Sequence, residues 1–193
     1  MIAIIDYGAG NLKSVKNALD YLKVGSRITD KTNDILKADK VILPGDGSFG
    51  YMMENLQKKG LIEPIKKSIN EGKPFLGICL GLQALFEESE ESSGVEGLGI
   101  FKGKVVKFRK GKVPQIGWNK LISKKKCIFR NGYVYFVNSY YAVPEDKSII
   151  ATLTDYYGEF ASAVQCNNVT AVQFHPEKSG DFGTSILRRW LKC

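Results

Sequence analysis

The sequence predicts an α/β fold, a doubly wound and mostly parallel sheet with antiparallel strands in its later half. Over roughly the first 90 residues, apolar runs alternate with stretches of helical periodicity, which is typical of a parallel sheet covered on both faces. Short runs of β character follow. The 193 residues are 44% hydrophobic and contain no repeat or evident linker, which indicates a single domain over residues 1–193.

The first half contains three predicted strands with helices between them. The strands are the short apolar runs "MIAIID", "KVILPG" and "PFLGI". Apolar residues at helical spacing predict helices that begin at Leu12, cover 49–70 on either side of Gly60, and run from Leu80 to about Glu88. Strand, helix, strand, helix in this order predicts a parallel sheet.

The later half consists mainly of short runs with β character instead of alternating strands and helices. Five runs favour strands: "GKVVKF", "YVYFVNSYYAV", "IIATLTDYY", "ASAVQC" and "VTAVQFH". Asn167 and Asn168 predict a tight turn between the last two runs, which makes this part of the sheet antiparallel. A helix from Phe182 to Leu191 closes the chain, with an apolar face made by Ile186, Leu187 and Trp190.

The net charge of +8 is concentrated in one segment. Between Lys102 and Lys126 there are ten Lys or Arg residues and no Asp or Glu, so the rest of the chain, with 18 basic and 20 acidic residues, carries −2. Such a segment can contact phosphate or an acidic partner, but most charged runs are solvated faces. Because no nucleic-acid-binding motif accompanies the charge, we expect no nucleic-acid partner.

The cysteines and the apolar runs favour a cytoplasmic protein. Four cysteines lie far apart and a single histidine is present, so neither a metal site nor a dense disulfide framework is expected. The first apolar run stops at Asp6 without a basic lead, and the longest later one, Phe75 to Phe86, contains Gln83. We therefore predict no signal peptide and no membrane-spanning helix.

One unusual strand end is "PGDGSFG", Pro44 to Gly50, directly after "KVIL". In doubly wound sheets the chemistry lies at the carboxyl ends of the strands, and closely spaced glycines let backbone amides converge on an anion. An ordinary tight turn is the alternative. The earlier "GAGN" is no dinucleotide-binding motif, because the third glycine of GxGxxG would fall at Lys13.

A second strand end has the spacing of a nucleophile elbow. Gly77, Ile78, Cys79, Leu80 and Gly81 place a cysteine between two glycines, where a strand turns into a helix. At a helix start the thiolate of Cys79 would be stabilised, and the Leu80 amide would point toward an oxyanion beside the sulfur. The alternative is a buried structural cysteine, since free cysteine is among the most buried residue types.

The third strand end, "AVQFHPEKSG", carries His175, the only histidine of the chain, and Glu177 two residues later. In an extended segment both side chains point the same way, so the carboxylate can hold the imidazole in one tautomer. A lone histidine is usually structural, but beside a cysteine elbow it completes the nucleophile, base and orienting acid of acyl-transfer chemistry. No other histidine competes for the role of base.

Three motifs, "PGDGSFG", "GICLGLQALFEES" and "FHPEKSG", together resemble the class I, or triad, glutamine amidotransferases. Three more, "IIDYGAGNLKSV", "PQIGWNKL" and "FVNSYYAVPED", are similar to the glutaminase subunits of imidazole glycerol phosphate synthases within that family. The resemblance covers the chain from about Ile2 to its end. It implies a flavodoxin-like sheet and an enzyme that hydrolyses glutamine to glutamate and ammonia without a cofactor.

The resemblance also implies roles for individual residues. Cys79 would attack the carboxamide of glutamine, His175 would carry protons, and Glu177 would orient His175. The oxyanion hole would be formed by the Leu80 amide and by the backbone of the "PGDG" segment at Asp46 and Gly47, and it is this second segment that moves on activation in the family. The residues matching the glutamine-binding positions are Gly47, Gln83, Glu91, Ser139 and Tyr140.

The resemblance further implies a partner. Trp118, Tyr135 and Lys178 match positions that face a separate synthase chain, although without the family they would be taken as core, sheet and solvated residues. That chain is a (β/α)8-barrel cyclase, which forms a heterodimer with the glutaminase and makes imidazole glycerol phosphate and an aminoimidazole ribotide. Ammonia must reach it by a protected route, because water converts ammonia to unreactive ammonium.

Two residues depart from the family pattern. Asp46 stands where the family usually has an apolar residue, and Asn138 where it commonly has histidine. A carboxylate at Asp46 can bond its own backbone and change how readily the segment turns. These departures leave open a paralogous glutaminase that serves another amidotransferase, such as one making acetamidino sugars for surface glycans. A non-catalytic binding subunit is disfavoured, because Cys79 and His175 are both present.

Overall fold

A nine-stranded sheet runs through the centre of the computed structural model, which describes residues 1–124 and 127–193. The twelve strands of this part of the chain are β1 (Ile2–Ile5), β2 (Ser26–Thr29), β3 (Lys40–Gly45), β4 (Phe75–Cys79), β5 (Glu88–Ser89), β6 (Gly103–Lys107), β7 (Gln115–Ser123), β8 (Gly132–Asn138), β9 (Tyr140–Pro144), β10 (Ile150–Asp155), β11 (Glu159–Cys166) and β12 (Val169–Val172). The helices are α1 (Leu12–Tyr21), α2 (Thr32–Lys37), α3 (Phe49–Lys58), α4 (Ile62–Asn70), α5 (Leu80–Gln83) and α6 (Gly180–Trp190), with 3₁₀ turns at Lys147–Ile149 and Pro176–Lys178.

The order of strands in the large sheet is β2-β1-β3-β4-β12-β11-β10-β7-β8. The first five strands pair in parallel, and β11, β10, β7 and β8 continue the sheet in antiparallel pairing. Three further strands, β5, β6 and β9, form a small second sheet. The expected doubly wound fold with an antiparallel later half is confirmed.

Helices cover both faces of the parallel half. Alternate residues of β1 point to opposite faces: Ile2 and Ile4 pack with buried residues of α1 and α6, whereas Ala3 and Ile5 pack with those of α2, α3 and α4. Because both faces are covered, β1 is buried along its whole length, which explains why it is a continuous apolar run rather than an alternating one.

Two elements of the first half were missed and one was predicted too long. β2 is an edge strand of four residues with an exposed middle, and it has neither the apolar run nor the alternation that predicts a strand. α2 is short and has a single buried residue, Ile35. α5 ends at Gln83 instead of about Glu88, because the carbonyls of Ala84 and Leu85 accept hydrogen bonds from the 98–101 segment instead of from helix amides.

The later half differs in detail from expectation. "YVYFVNSYYAV" forms two strands, β8 and β9, which separate at Ser139 and enter different sheets. The long strand β7 was not anticipated. The closing helix and its apolar face are confirmed, since Ile186, Leu187 and Trp190 are all buried.

The basic segment Lys102–Lys126 covers β6, β7 and the loop between them, and its last two residues, Lys125 and Lys126, lie outside the described residues. Within the described part, Arg109 pairs with the Glu90 carboxylate at 2.8 Å. No helix among the described residues combines the length and apolar character needed to cross a membrane.

Candidate active site

The three unusual strand ends lie next to one another. β3, β4 and β12 are adjacent parallel strands, so their carboxyl ends meet at one edge of the sheet. The register pairs Gly45 with Cys79 and Val172 with Ile78. The glycine-rich segment, the cysteine and the segment that carries His175 therefore converge, as the sequence predicts.

Cys79 occupies a strained turn that close glycine contacts make possible. Its φ of 56° and ψ of −111° lie outside the regions that a residue with a side chain normally adopts. A Cβ on Gly81 would lie 1.9 Å from the Leu43 carbonyl oxygen, and one on Gly45 would lie 2.5 Å from Leu80 Cβ. The glycines thus let β3 approach the elbow, and the geometry is that of a nucleophile elbow. The helix that follows is only four residues long, so the expected stabilisation by a helix start is small.

His175 and Glu177 are in contact, but not for the reason predicted. His175 Nδ1 and Glu177 Oε1 are 2.8 Å apart, and both side chains are nearly inaccessible to water. Pro176–Lys178 forms a 3₁₀ turn rather than an extended segment, and this turn brings the carboxylate round to the imidazole. His175 Nε2 has no hydrogen-bond partner of good geometry among the described residues.

The surroundings of His175 favour its protonated form. Burial alone lowers the pKa of the imidazole, but the interaction with the Cys79 sulfur and with the hydrogen-bonded Glu177 carboxylate outweighs it and raises the pKa to about 10. The two effects oppose each other, and the balance depends on the cysteine and the carboxylate being present. Protonation of His175 is therefore coupled to the state of the neighbouring thiol.

The Cys79 thiol has two further neighbours that the sequence analysis did not identify as site residues. Sγ lies 3.9 Å from the carbonyl oxygen of Val137, on β8, and the Gln173 side-chain amide donates a hydrogen bond to it at 3.6 Å. Gln173 stands in the quoted "VQFHPE" motif, but only the strand register shows that its side chain reaches Cys79.

A pocket of about 260 Å³ opens beside Cys79. Its lining contains every residue predicted for the oxyanion hole and for substrate binding, namely Asp46, Gly47, Leu80, Gln83, Glu91, Ser139 and Tyr140. The remaining lining residues are Cys79 itself, Pro114, Val137 and Asn138. Glu91 Oε2 accepts a hydrogen bond from the backbone N–H of Phe49 at 2.7 Å. The structure thus brings together residues up to 94 positions apart along the chain, from Asp46 to Tyr140.

The amides of the "PGDG" segment are engaged in hydrogen bonds. The Asp46 N–H donates to the Tyr7 hydroxyl at 2.9 Å, and the same hydroxyl donates to the Asp46 carbonyl at 2.8 Å. The Gly47 N–H donates to the carboxylate of Asp46 at 2.9 Å, which is the bond to its own backbone expected of an aspartate here. Burial raises the pKa of Tyr7 to about 12, so its hydroxyl stays protonated. Tyr7 was missed as a site residue, although it stands in the quoted "DYGAGN" motif.

The predicted partner residues lie outside the pocket. Trp118 and Tyr135 are paired across β7 and β8, with their rings 6.3 Å apart in an edge-to-face arrangement, and Trp118 is 58% exposed. Lys178 is exposed on the 3₁₀ turn that carries Glu177. The same face exposes Ile116 and Tyr133, which were missed although the alternation in "QIGWNKLI" contains a signal for an exposed apolar strand face.

A larger pocket, of about 540 Å³, lies at the opposite end of the sheet. It is lined by residues next to the amino ends of β4 and β12, such as Asn168 and Val169, and by no residue of the predicted site. Size alone therefore does not identify the active site. Among the described residues, no group of three His, Cys, Asp or Glu side chains is placed to hold a metal ion.

Comparisons with known proteins agree with this geometry. The glutamine amidotransferase class-I family profile matches residues 3–193. Among solved structures, one described as a glutamine amidotransferase has a TM-score of 0.82 at 18% identity, covering 99% of this chain and 97% of that one. PurLQS from Thermotoga maritima has a TM-score of 0.80 at 20% identity, covering 99% and 97%. At these identities the two structures establish the fold.

Curated relatives are much more similar in sequence. "Imidazole glycerol phosphate synthase subunit HisH" of Pyrococcus furiosus is 54% identical, covering 99% of this chain and 98% of its own. The proteins of the same name from Methanocaldococcus jannaschii and Chlorobaculum tepidum are 48% and 44% identical, each over all of this chain and over 99% and 100% of their own. The chain therefore belongs to the class I glutamine amidotransferases and, within them, to the HisH subunits of imidazole glycerol phosphate synthase.

Proposed function

We propose that the chain hydrolyses glutamine through a thioester on Cys79 and delivers the ammonia to a separate cyclase subunit in histidine biosynthesis. One observation carries the catalytic part. A strained cysteine elbow, the single histidine and a buried carboxylate converge at one sheet edge, beside a pocket of about 260 Å³. The products of the cyclase would be imidazole glycerol phosphate and aminoimidazole carboxamide ribotide.

The reaction begins with the Cys79 thiolate and the His175 imidazolium. The sulfur electron pair forms a bond to the carboxamide carbon of glutamine, and the carbonyl oxygen takes up the negative charge. His175 then gives its proton to the nitrogen, the C–N bond breaks, and ammonia leaves. In the second half, neutral His175 takes a proton from water, the resulting hydroxide attacks the thioester, and the thiolate leaves with glutamate formed. Glu177 holds the imidazole in the required orientation throughout.

The oxyanion needs donors that are engaged elsewhere in the free chain. The Leu80 amide follows the nucleophile directly, whereas the amides of Asp46 and Gly47 already donate to Tyr7 and to the Asp46 carboxylate. We infer that the "PGDG" segment must turn before it can donate to the oxyanion. Because one missing donor slows acyl transfer ~100- to 1,000-fold, binding of the liganded partner would activate hydrolysis by at least that order.

The pocket residues would hold the glutamine substrate. Glu91 presents a carboxylate suited to the α-ammonium group, and Gly47, Ser139 and Tyr140 line the same pocket. Gln83 reaches into the same pocket, where its side-chain amide already bonds the Tyr140 carbonyl at 3.1 Å. The proposed substrate-binding residues thus surround the space directly in front of Cys79.

The exposed face of β7 and β8 would be the docking surface for the cyclase chain, with Trp118 and Tyr135 as aromatic anchors and Lys178 as a charged contact. This face is continuous with the active site, because the His175 N–H donates to the Tyr135 carbonyl at 3.0 Å. A docked chain can receive ammonia before water protonates it. The expected assembly is a heterodimer.

We further propose that residues 1–193 form a single domain in the cytoplasm. The continuous nine-stranded sheet, to which both the amino-terminal and the later strands contribute, supports one domain. The four cysteines are free thiols, which suits a reducing compartment. The alternative of a glycan-pathway paralogue is not favoured, because the relatives at 44–54% identity are HisH subunits despite the departures at Asp46 and Asn138.

The proposal can be tested with the unaltered chain and His175→Asn, each with and without the cyclase chain. We expect glutamine hydrolysis by His175→Asn to fall by at least ~100-fold with an unchanged circular dichroism spectrum, and Glu177→Gln to lose less, because an orienting group supplies only part of the catalysis. Synthesis from added ammonium salt by the cyclase serves as the control and should continue. Retention of more than about a tenth of the activity by His175→Asn would refute the assignment of the base.

A further inference from the structure

Gln173 is a buried polar residue that the mechanism above does not use. It directly follows β12, lies two residues before His175 and is fully buried. Its backbone N–H donates to the Ser162 carbonyl at 2.9 Å, which fixes the start of the side chain. Since Val172 pairs with Ile78, the next residues, Gln173 and Cys79, are neighbours at the strand ends. Burying an amide is costly unless its hydrogen bonds are formed, so the hydrogen-bond partners of the Gln173 side chain indicate its role.

The partners of Gln173 determine which end of its amide faces the sulfur. The Tyr140 carbonyl can only accept, so the Gln83 atom that bonds it at 3.1 Å is the amide nitrogen. That nitrogen also donates to Gln173 at 3.0 Å, and the Gln173 atom that receives it must be the oxygen. The remaining end of the Gln173 amide, its NH₂ group, is 3.6 Å from Cys79 Sγ. The chain of bonds from the pocket wall thus presents a donor to the nucleophile.

We propose that Gln173 is a catalytic residue, whose side-chain amide donates a hydrogen bond to Cys79 Sγ, stabilises the thiolate and directs it toward the pocket. The proposal rests on the glutaminase function proposed above. A hydrogen bond to a charged acceptor is stronger than one to a neutral acceptor, so the amide favours the thiolate over the thiol. A neutral amide does not titrate, so it does this without competing with His175 for the proton that leaves with ammonia.

The same contacts connect the substrate pocket to the nucleophile. Gln83 lines the pocket and is held by both Tyr140 and Gln173, so a shift of the pocket wall around Tyr140 moves the donor that faces the sulfur. A purely structural role for Gln173 predicts only a loss of stability on substitution. A role at the sulfur predicts, in addition, a change in the ionisation of Cys79.

Gln173→Met in the full chain tests the proposal, because it keeps the length of the side chain and removes the amide. The rate of Cys79 alkylation by iodoacetamide is measured against pH on the Cys79 peptide, so that the other three cysteines do not contribute. We expect the midpoint of the profile to rise by about one pH unit, because a hydrogen bond to a charged group contributes roughly 10-fold or more. In the complex with the cyclase chain, kcat for glutamine should fall about 10-fold with KM changed by less than about 3-fold.

The titratable groups that face Cys79 are retained in this variant. Among the described residues these are His175, with Glu177 behind it, Tyr7, whose hydroxyl stays protonated, and the pocket-lining residues Asp46, Glu91 and Tyr140. The matched control is Ser162→Ala, which removes the buried hydrogen bond of 2.8 Å between Ser162 and Thr152 on the neighbouring strands and touches no atom of Cys79. It should lower stability and leave the alkylation profile unchanged.

A second variant, Gln173→Asn, keeps an amide on a side chain one methylene shorter, which moves the donor away from the sulfur. This variant replaces Gln173→Met in the experiment if Gln173→Met does not fold. An upward shift of the midpoint in either folded variant supports the proposal, and an unchanged midpoint overturns it. Failure of the proposed function would appear elsewhere, as absence of glutamine hydrolysis by the unaltered complex. The alkylation profile needs no glutamine, so it would still decide the role of Gln173 at Cys79.

Discussion

The parallel and antiparallel halves of the large sheet are built by different rules. β4 in the parallel half is buried along its whole length, and its end is packed so closely that a single methyl group on Gly81 would collide with the backbone. β7 in the antiparallel half alternates, and its outer face exposes Ile116 and Trp118, at 61% and 58%. Cys79 thus lies where the neighbouring backbone leaves no room for a larger residue, whereas the face proposed to contact the partner has apolar side chains that are still exposed.

The two halves touch at the active site through β8. The Val137 carbonyl lies 3.9 Å from the Cys79 sulfur, and the Tyr135 carbonyl holds the backbone of His175. Both contacts come from β8, which also contributes to the exposed face proposed to contact the partner. Displacement of β8 therefore reaches the nucleophile and the base together.

The largest expected effect concerns the coupling within the parallel half. Because the chain has one histidine, an NMR titration observes a single imidazole, and its pKa should lie near 10 in the unaltered protein. Cys79→Ala should lower this pKa more than Glu177→Gln does, since among the groups that raise it the interaction with Cys79 is the largest. The unfolded chain, with a pKa of 6.5, provides the reference. A pKa that is unchanged in Cys79→Ala would contradict the pairing of the two residues.

The same shift makes stability depend on pH. The pKa of His175 is higher in the folded than in the unfolded chain, so its contribution to the free energy of unfolding is fully present below pH 6.5 and is lost as the pH rises through about 10. Comparing urea unfolding of the unaltered protein and His175→Asn across this range should show the difference shrinking toward high pH.

A smaller effect is expected on the antiparallel side. Trp118→Ala should reduce partner-dependent activation of glutamine hydrolysis roughly 30-fold, because truncation of a central aromatic anchor costs about 2 kcal/mol, and it should affect basal hydrolysis far less. Assays of the reconstituted pair with glutamine and with ammonium salt measure both. Tyr21→Ala, on α1 and 72% exposed, is the control for loss of a surface aromatic residue. An equal loss of basal and activated rates would mean that β7 takes part in the chemistry itself.

The smallest expected effect tests whether the hydrogen bond within the "PGDG" segment lowers basal activity. Asp46→Ala removes the acceptor of the Gly47 N–H, so basal hydrolysis by the free chain should rise about 2- to 10-fold, a modest range because this hydrogen bond is exposed to solvent. Asp6→Ala removes a similar bond, from the Gly8 N–H at 2.8 Å, at the end of β1 and should leave the rate unchanged. A basal rate in Asp46→Ala equal to that of the unaltered chain would show that this bond does not restrain the segment.

The elements with a strong local signal were predictable. The buried parallel strands are apolar runs, and the elbow, the glycine-rich segment and "FHPE" each combine a strand end with residues of distinct chemistry. β2 and α2 lack such a signal, because an exposed edge strand and a helix with one buried residue need no apolar pattern. The residues after Gln83 favour a helix, but hydrogen bonds from the segment that begins at Leu98, fifteen residues further along the chain, end the helix at Gln83.

The site was predictable as a set of residues but not as a set of contacts. The motifs identify Cys79, His175 and Glu177, yet the 3₁₀ turn that joins the last two is decided by packing around it. Tyr7 and Gln173 stand in motifs that were read for other residues, and their positions depend on long-range pairing and packing. Which amides of the "PGDG" segment are occupied could not be read from the sequence at all.

The turn that carries the proposed catalytic base also covers an edge of the large sheet. β8 is the edge strand of the large sheet and lies next to exposed apolar side chains, an arrangement that invites pairing with a second chain. The His175–Ser179 turn covers the middle of this edge: the Tyr135 N–H donates to the Ser179 hydroxyl at 2.9 Å, and the Tyr135 carbonyl accepts from His175. The segment that carries the proposed catalytic base thereby occupies the middle of the sheet edge, so we expect damage to this turn to remove activity and to expose the edge for pairing at the same time.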